Sequence, residues 1–346
     1  MSLREWLKQF IPMSSRSLNS RLDNLLIYMG EVEERLRTIE ANSNELKTRL
    51  QILEANNNEL KKLSYNHLDP GLYAHAVKQW YQDTTGNILD LDNPKTYNEK
   101  IQWMKVYDRD PRKTLLADKY LVRDWVKEKI GEEYLIPLLA VYRSAKEIDF
   151  DSLPDAFVLK ANHGAGMNVI VRNKNSENLE ELRFRAGSWL RKNFAFSVGY
   201  ELQYNDIPRR LIAEQYLENM DGDMPDYKFY CFDGKCRFLE HITDRRNGGQ
   251  VAMFDSQWNR LPFEIKSFKV NKTDIPKPQI LPDMINVAEK LAEDFPHVRV
   301  DLYRLDNDQI KFGEMTFTPR SGNCKWIPPE ADLLVGEMLH LPEKNL

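Results

Sequence analysis

Val298-Arg299-Val300-Asp301-Leu302-Tyr303 and Ile310-Lys311-Phe312-Gly313-Glu314-Met315-Thr316-Phe317 decide how this chain is read. Both runs alternate apolar and polar residues with period two, and Asp306-Asn307-Asp308-Gln309 between them is turn chemistry, so the pair predicts a β-hairpin. A loop centred on Asn307-Asp308 pairs Leu305 with Ile310 and sets Asp301 directly opposite Glu314. Opposed residues have Cβ atoms roughly 5 Å apart, where like charges destabilise a sheet. Something positive is expected between them. With Arg299 and Thr316 on the same face, the set is an oxygen-rich site suited to Mg²⁺ carrying phosphates. A solvated sheet face, screened by water and by Lys311 or Arg304, is the plainer alternative.

Outward from the hairpin, the 346 residues, 42% hydrophobic and 11% aromatic, suffice for one large or two ordinary cores. A formal net charge of −4 gives no basic excess, so nucleic acid is not an expected partner. No apolar run approaches the roughly 18 residues of a membrane span, and residues 1–10 lack the apolar core of a secretory signal. A cytoplasmic protein is expected. Cys231, Cys236 and Cys324 show no metal-type spacing and read as buried free thiols.

Six segments are expected. Residues 1–17 carry Leu3, Trp6, Leu7, Phe10 and Ile11 on one helical stripe, a candidate for peripheral membrane docking or for packing on a partner through residues 1–12. In residues 18–64 the series Leu18, Leu25, Val32, Ile39, Leu46, Leu53, Leu60 and Leu22, Met29, Leu36, Ser43, Leu50, Asn57, Ser64 fill d and a positions over about six heptads of a coiled coil. Homo-oligomerisation follows, with Asn57 at an a position favouring a parallel dimer over a trimer. Residues 65–150 read mostly helical. Strand and helix signals then mix through 151–219 and 220–330, leaving a tail at 331–346, and the whole reads α+β.

Phe157-Val158-Leu159-Lys160-Ala161-Asn162-His163-Gly164-Ala165-Gly166 is a strand entering a glycine loop, with a second strand from Asn168 to Arg172. A strand-end lysine reaches phosphate oxygens, and glycines let loop amides approach them. No helix follows, so this is neither a Walker A loop nor a Rossmann fingerprint. Leu211 to Glu218 is an apolar strand running into a polar turn with Asp221. Asp226 to Phe232 places Lys228 in an apolar run, where an ammonium needs a partner.

Taken in order, these pieces resemble the ATP-grasp fold, in which two α+β subdomains grip ATP. Lys95-Thr96-Tyr97-Asn98-Glu99-Lys100-Ile101-Gln102-Trp103, Ala117-Asp118-Lys119-Tyr120, the 157–166 loop and Gly313-Glu314-Met315-Thr316-Phe317-Thr318-Pro319 resemble its TupA-like branch, named for teichuronopeptide biosynthesis. The resemblance implies that Lys119, Lys160 and Lys228 contact phosphates under the Gly164/Gly166 loop. It further implies that Glu214 and the Leu217 backbone hold adenine, that Asp221 holds the ribose, and that Asp301 and Glu314 bind Mg²⁺. Thr316 stands where the wider fold has Asn, and its part as a metal ligand is the least secured. Arg299, one pleat from Asp301, is the expected stabiliser of an acyl phosphate, and Arg320 in Arg320-Ser321-Gly322 the expected holder of a substrate carboxylate.

The implied reaction is carboxylate activation by ATP followed by attack of an amine, with a uronic acid of a surface polysaccharide or its precursor as acceptor and an amino acid or other amine as co-substrate. A kinase, a nucleotide-sugar glycosyltransferase and a scaffold with a degenerate site are the alternatives. Crowding of Asp301 and Glu314 also predicts that an amide at either position leaves the ligand-free fold unharmed or slightly stabilised.

Overall fold

The computed structural model describes residues 28–43, 45–49, 53, 70–217, 224–266 and 268–344. Two compact units divide the chain near residue 56. In the first, residues 28–43 and 45–49 are α-helical, and Met29, Val32, Leu36, Ile39, Leu46 and Leu53 are all exposed. They are the expected heptad positions. Ser43, a further heptad position, is helical and exposed as well; the remaining heptad residues, Asn57 among them, and the stripe of residues 1–17 lie outside the described residues.

The second unit begins with helices α1 (Pro70–Thr85), α2 (Tyr97–Tyr107), α3 (Arg112–Ala117) and α4 (Val122–Lys129). Thr96 caps α2 in a reciprocal box with Glu99, which fixes where the helix starts. A four-stranded antiparallel sheet follows in the order β1 (Leu138–Tyr142), β4 (Leu211–Gln215), β2 (Phe157–Ala161), β3 (Asn168–Val171), backed by α5 (Leu179–Arg191). Because β1 pairs with β4, this sheet starts before the boundary expected at residue 150.

The second sheet has six strands in the order β11-β10-β5-β6-β7-β9. These are β5 (Asp226–Phe232), β6 (Lys235–Thr243), β7 (Gln250–Asp255), β9 (Lys269–Val270), β10 (His297–Arg304) and β11 (Ile310–Thr316); β8 (Glu264–Ile265) pairs with β12 (Trp326–Ile327). Asp233 and Gly234, both left-handed at φ 49° and 71°, close the β5–β6 hairpin. One face of this sheet, with Phe229, Cys231, Val298, Val300 and Leu302, packs on α6 (Leu281–Ala292) in a continuous core. Each such side chain contributes about 1.5–3 kcal/mol by leaving water. The other face is split. Tyr230, Phe232 and Phe238 pack beneath α2, while the rows beyond them are charged. The last helix, α7 (Ala331–Glu337), docks on α2: Lys100 donates to the carbonyls of Gly336 and Leu339, and Asn98 donates to Asp332. The three cysteines are free and buried.

Candidate nucleotide site

The β10–β11 pairing sets Asp301 opposite Glu314, but by a different route from the one expected. Arg304, not Leu305, pairs with Ile310, because the turn is a three-residue loop with Asp308 left-handed at φ 60°. A bulge at Gly313, between the Leu302↔Phe312 and Asp301↔Glu314 pairs, then restores the register.

Cross-strand pairing continues the row as Glu314, Asp301, Lys228, Glu240 over β11, β10, β5 and β6. Cations fill the gap between the carboxylates. Arg299 Nε donates to Asp301 Oδ1 at 2.6 Å, and Nη2 reaches Asp301 Oδ2 at 2.8 Å, Glu314 Oε1 at 2.9 Å and Thr316 Oγ1 at 3.2 Å. Lys228 bridges Asp301 and, at 2.9 Å, Asp226, which Arg245 also meets. Lys119 Nζ lies 3.4 Å from Glu314 Oε2 and donates to the Gly164 carbonyl at 2.7 Å.

Protonation follows from this packing. Burial opposes the charge on Glu314, but Lys119, Arg299 and Lys228 outweigh it and hold the carboxyl far below the usual range. At Asp301 burial wins and raises the pKa, even though Arg299 and Lys228 pull the other way. Burial also works against Lys228, yet Asp301 and Asp226 raise it. The crowding seen in the sequence is therefore answered by hydrogen-bonded cations. That reverses the expectation for the amide variants.

The four-stranded sheet supplies the facing wall. Lys160 meets Glu214 at 2.5 Å, and Arg123 stands 3.5 Å from the same carboxylate. A Cβ at Gly164 would fall 2.4 Å from the Phe194 ring, so only glycine lets the loop lie this close to the core. His163 sits behind that loop, with Nε2 3.2 Å from the carbonyls of Trp189 and Lys192; burial lowers its pKa to about 4, and it faces no reacting group.

Between the two sheets lies a cavity of about 860 Å³. It brings together Lys119, Lys160, Gly164, Gly166, Glu214, Leu217, Lys228, Asp301 and Glu314, with Arg172, Arg245 and Arg246 at the same wall. Six basic side chains face four acidic ones, a balance that suits a polyanion. Asp221 lies outside the described residues. Thr316 is turned onto Arg299 and Glu314, at 3.2 and 3.0 Å, and orients the carboxylate. Arg299 is buried among the acids it holds. Arg320 points to Glu240, which is fully buried, at 2.8 Å.

Gln102 was quoted only within a motif, with no role, and Lys105 and Glu201 were not singled out in the sequence. Gln102 Nε2 donates to the carbonyls of Ser321 and Gly322, and Lys105 donates to that of Ser321 at 2.6 Å, pinning a turn in which Arg320 and Ser321 are both left-handed. Burial pulls Lys105 down to about 7 and pushes Glu201 up. The i, i+3 spacing of Gln102 and Lys105 was the available signal.

Would this donor set hold Mg²⁺? Among the described residues no group of three or more His, Cys, Asp or Glu side chains converges on one point. Mg²⁺ needs only one or two carboxylates when phosphates and water complete its shell. Glu314 offers an accessible oxygen at the cavity, while both Asp301 oxygens are taken by Arg299 and Lys228. The set fits a phosphate-borne ion with Glu314 as the leading ligand.

Two facing sheets, a glycine loop between them and a carboxylate hairpin at one end define an ATP-grasp architecture. The model of the TupA-like ATPgrasp family matches residues 99–340, and the chain belongs to that family. Among solved structures it is similar to a D-alanine–D-alanine ligase from Bacillus anthracis complexed with ATP, at 15% identity and TM-score 0.38, covering 65% of this chain and 64% of that one. It is also similar to a D-alanine–D-alanine ligase from Helicobacter pylori, at 14%, TM-score 0.35 and 65% and 62% coverage. A carboxyaminoimidazole ribonucleotide synthase from Aspergillus clavatus complexed with ATP follows at 12%, TM-score 0.36 and 62% and 46% coverage. The chain thus spans less than two thirds of each of these proteins. No curated protein sequence matches it. Among the described residues no helix is long and apolar enough to cross a membrane.

Proposed function

We propose that this chain is an ATP-dependent, ADP-forming carboxylate–amine ligase. The carrying observation is the cavity between the sheets, where Lys119, Lys160 and Lys228 meet Glu314 and Asp301. Lys119, Lys160 and Lys228 hold the phosphates, the Gly164/Gly166 loop covers them, and Glu214 with the Leu217 backbone receives the base. Mg²⁺ at Glu314, with Asp301 behind it, would neutralise charge on the transferring phosphoryl group. Arg299 keeps both carboxylates in place and faces charge developing beside them.

The acceptor we assign is the carboxylate of a uronic acid in a surface polysaccharide or its precursor, with an amino acid or other amine as co-substrate. Oxygen of the carboxylate takes the γ-phosphoryl group and ADP leaves; the amine then forms the C–N bond, the C–O bond to phosphate breaks, and the amine gives up a proton. The exposed heptad stripe from Met29 to Leu53 fits pairing with a second copy as a parallel coiled coil. Residues 1–12 are a docking segment for the cytoplasmic membrane face or for a biosynthetic complex.

The test is ADP and phosphate release from ATP·Mg²⁺ with glucuronate or galacturonate against a panel of amines, with mass analysis of the product. Stoichiometric ADP, phosphate and amide support the ligase. ADP with a stable phosphosugar establishes a kinase instead.

A further inference from the structure

A second cavity of about 330 Å³ lies beside the nucleotide site and plays no part in the roles assigned so far. Two chain segments run from one cavity to the other. Glu314 lines the first and Thr318 the second, while Lys119 lines the first and Lys113 the second. Along β11 the separation is at most about 13 Å, at roughly 3.3 Å per residue.

Most charges in this pocket are already answered. Lys113 pairs with Asp108 at 2.5 Å, Asp110 with Arg112 at 2.6 Å, and Lys105 is occupied by the turn carbonyls. Arg109 and Asp206, both exposed, are the remaining lining charges, and neither makes an ion pair among the described residues. Both are held from behind. The Arg109 guanidinium lies over the Tyr73 ring, 5.1 Å from its centre, and buried Tyr73 is fixed by donation to the Tyr200 carbonyl at 2.8 Å. Asp206 accepts from Asn205 at 2.8 Å, and Asn205, itself buried, accepts from Asn193 at 3.2 Å.

One cation and one carboxylate, each braced by its neighbours and both lining a small polar pocket, are complementary to a zwitterion. The volume is at the lower end for small-molecule pockets, which suits an amino acid rather than a sugar polymer. We infer that this pocket binds the co-substrate as a free amino acid, its carboxylate on Arg109 and its ammonium on Asp206. The inference rests on the ligase reading for the word co-substrate, and on the pocket alone for the ligand class.

Calorimetry with full-length protein saturated in Mg²⁺ and a non-hydrolysable ATP analogue tests it, using the twenty standard L-amino acids singly. The strongest binder is then compared with its N-acetyl and carboxamide forms, each expected to bind at least about tenfold more weakly, since each loses one charge-assisted contact. Arg109→Gln should remove the preference for the free carboxylate and Asp206→Asn the preference for the free amine, with nucleotide affinity unchanged in both. No binding of any amino acid to the nucleotide-loaded protein, or equal binding in both variants, overturns the inference. Amino-acid binding that needs Arg109 and Asp206 in a protein that binds no nucleotide upholds the pocket and overturns the ligase reading.

Discussion

Replacing Glu314 by Gln separates an ion network from a crowded acid pair. Glu314 Oε1 accepts from Arg299 Nη2 at 2.9 Å and from Thr316 Oγ1 at 3.0 Å, and Oε2 faces Lys119 at 3.4 Å. Hydrogen bonds to charged groups contribute about 1.5–3 kcal/mol each. The amide oxygen still accepts one of them, and with 29% of the side chain exposed solvent screens the rest, so a loss of about 2 kcal/mol is expected. At roughly 2 °C per kcal/mol for a body of this size, the nucleotide-free variant should melt about 4 °C lower. Thermal and urea unfolding of wild type and variant, without nucleotide, supply the measurement. A variant that melts at or above wild type would show that repulsion between Asp301 and Glu314 exceeds what Arg299, Lys119 and Lys228 return.

Acid stability offers a second check. His163, His241 and His297 are buried and neutral, with pKa values lowered by burial to about 4, 4 and 3. Unfolding lets each take up a proton below its ordinary value of about 6.5, so stability falls as pH drops from 6.5 toward those values, by roughly 2 kcal/mol per histidine at pH 5. His163→Asn should flatten that limb by one proton, read from urea midpoints between pH 7 and 5; an unchanged slope would mean that His163 is solvated in the fold. Deleting residues 1–64 should give a monomer by light scattering that still binds nucleotide, because every proposed site residue lies beyond them, whereas an unchanged oligomer would place assembly in the body.

How far the sequence disclosed this depends on the range of the interaction. Period-two patterning located β10 and β11, and apolar runs located β2, β4 and β5, because these signals are local. Asp301 was placed opposite Glu314 although the loop was misjudged: the bulge at Gly313 compensates for a shorter turn, and a glycine in an alternating run was its only trace. Pairing across β10 and β5 was not legible, so Lys228 and Arg299 were given to phosphate and substrate when they first hold Asp301. The same limit hid the use of Lys95 to Lys105. Lys95 to Trp103 resembled a family motif; Thr96 and Glu99 proved to cap α2 locally, while Lys100 anchors α7 and Gln102, with Lys105 just beyond the motif, pins the left-handed turn after β11, contacts made across more than two hundred residues.

Titration of the full-length chain with Mg²⁺ and a non-hydrolysable ATP analogue tests the central claim most directly. One site per chain is predicted, weakened about tenfold or more by Lys160→Ala, which removes one of the basic side chains lining the cavity, with no binding of UDP-glucuronate. Absence of nucleotide binding, or binding indifferent to Lys160, would contradict it.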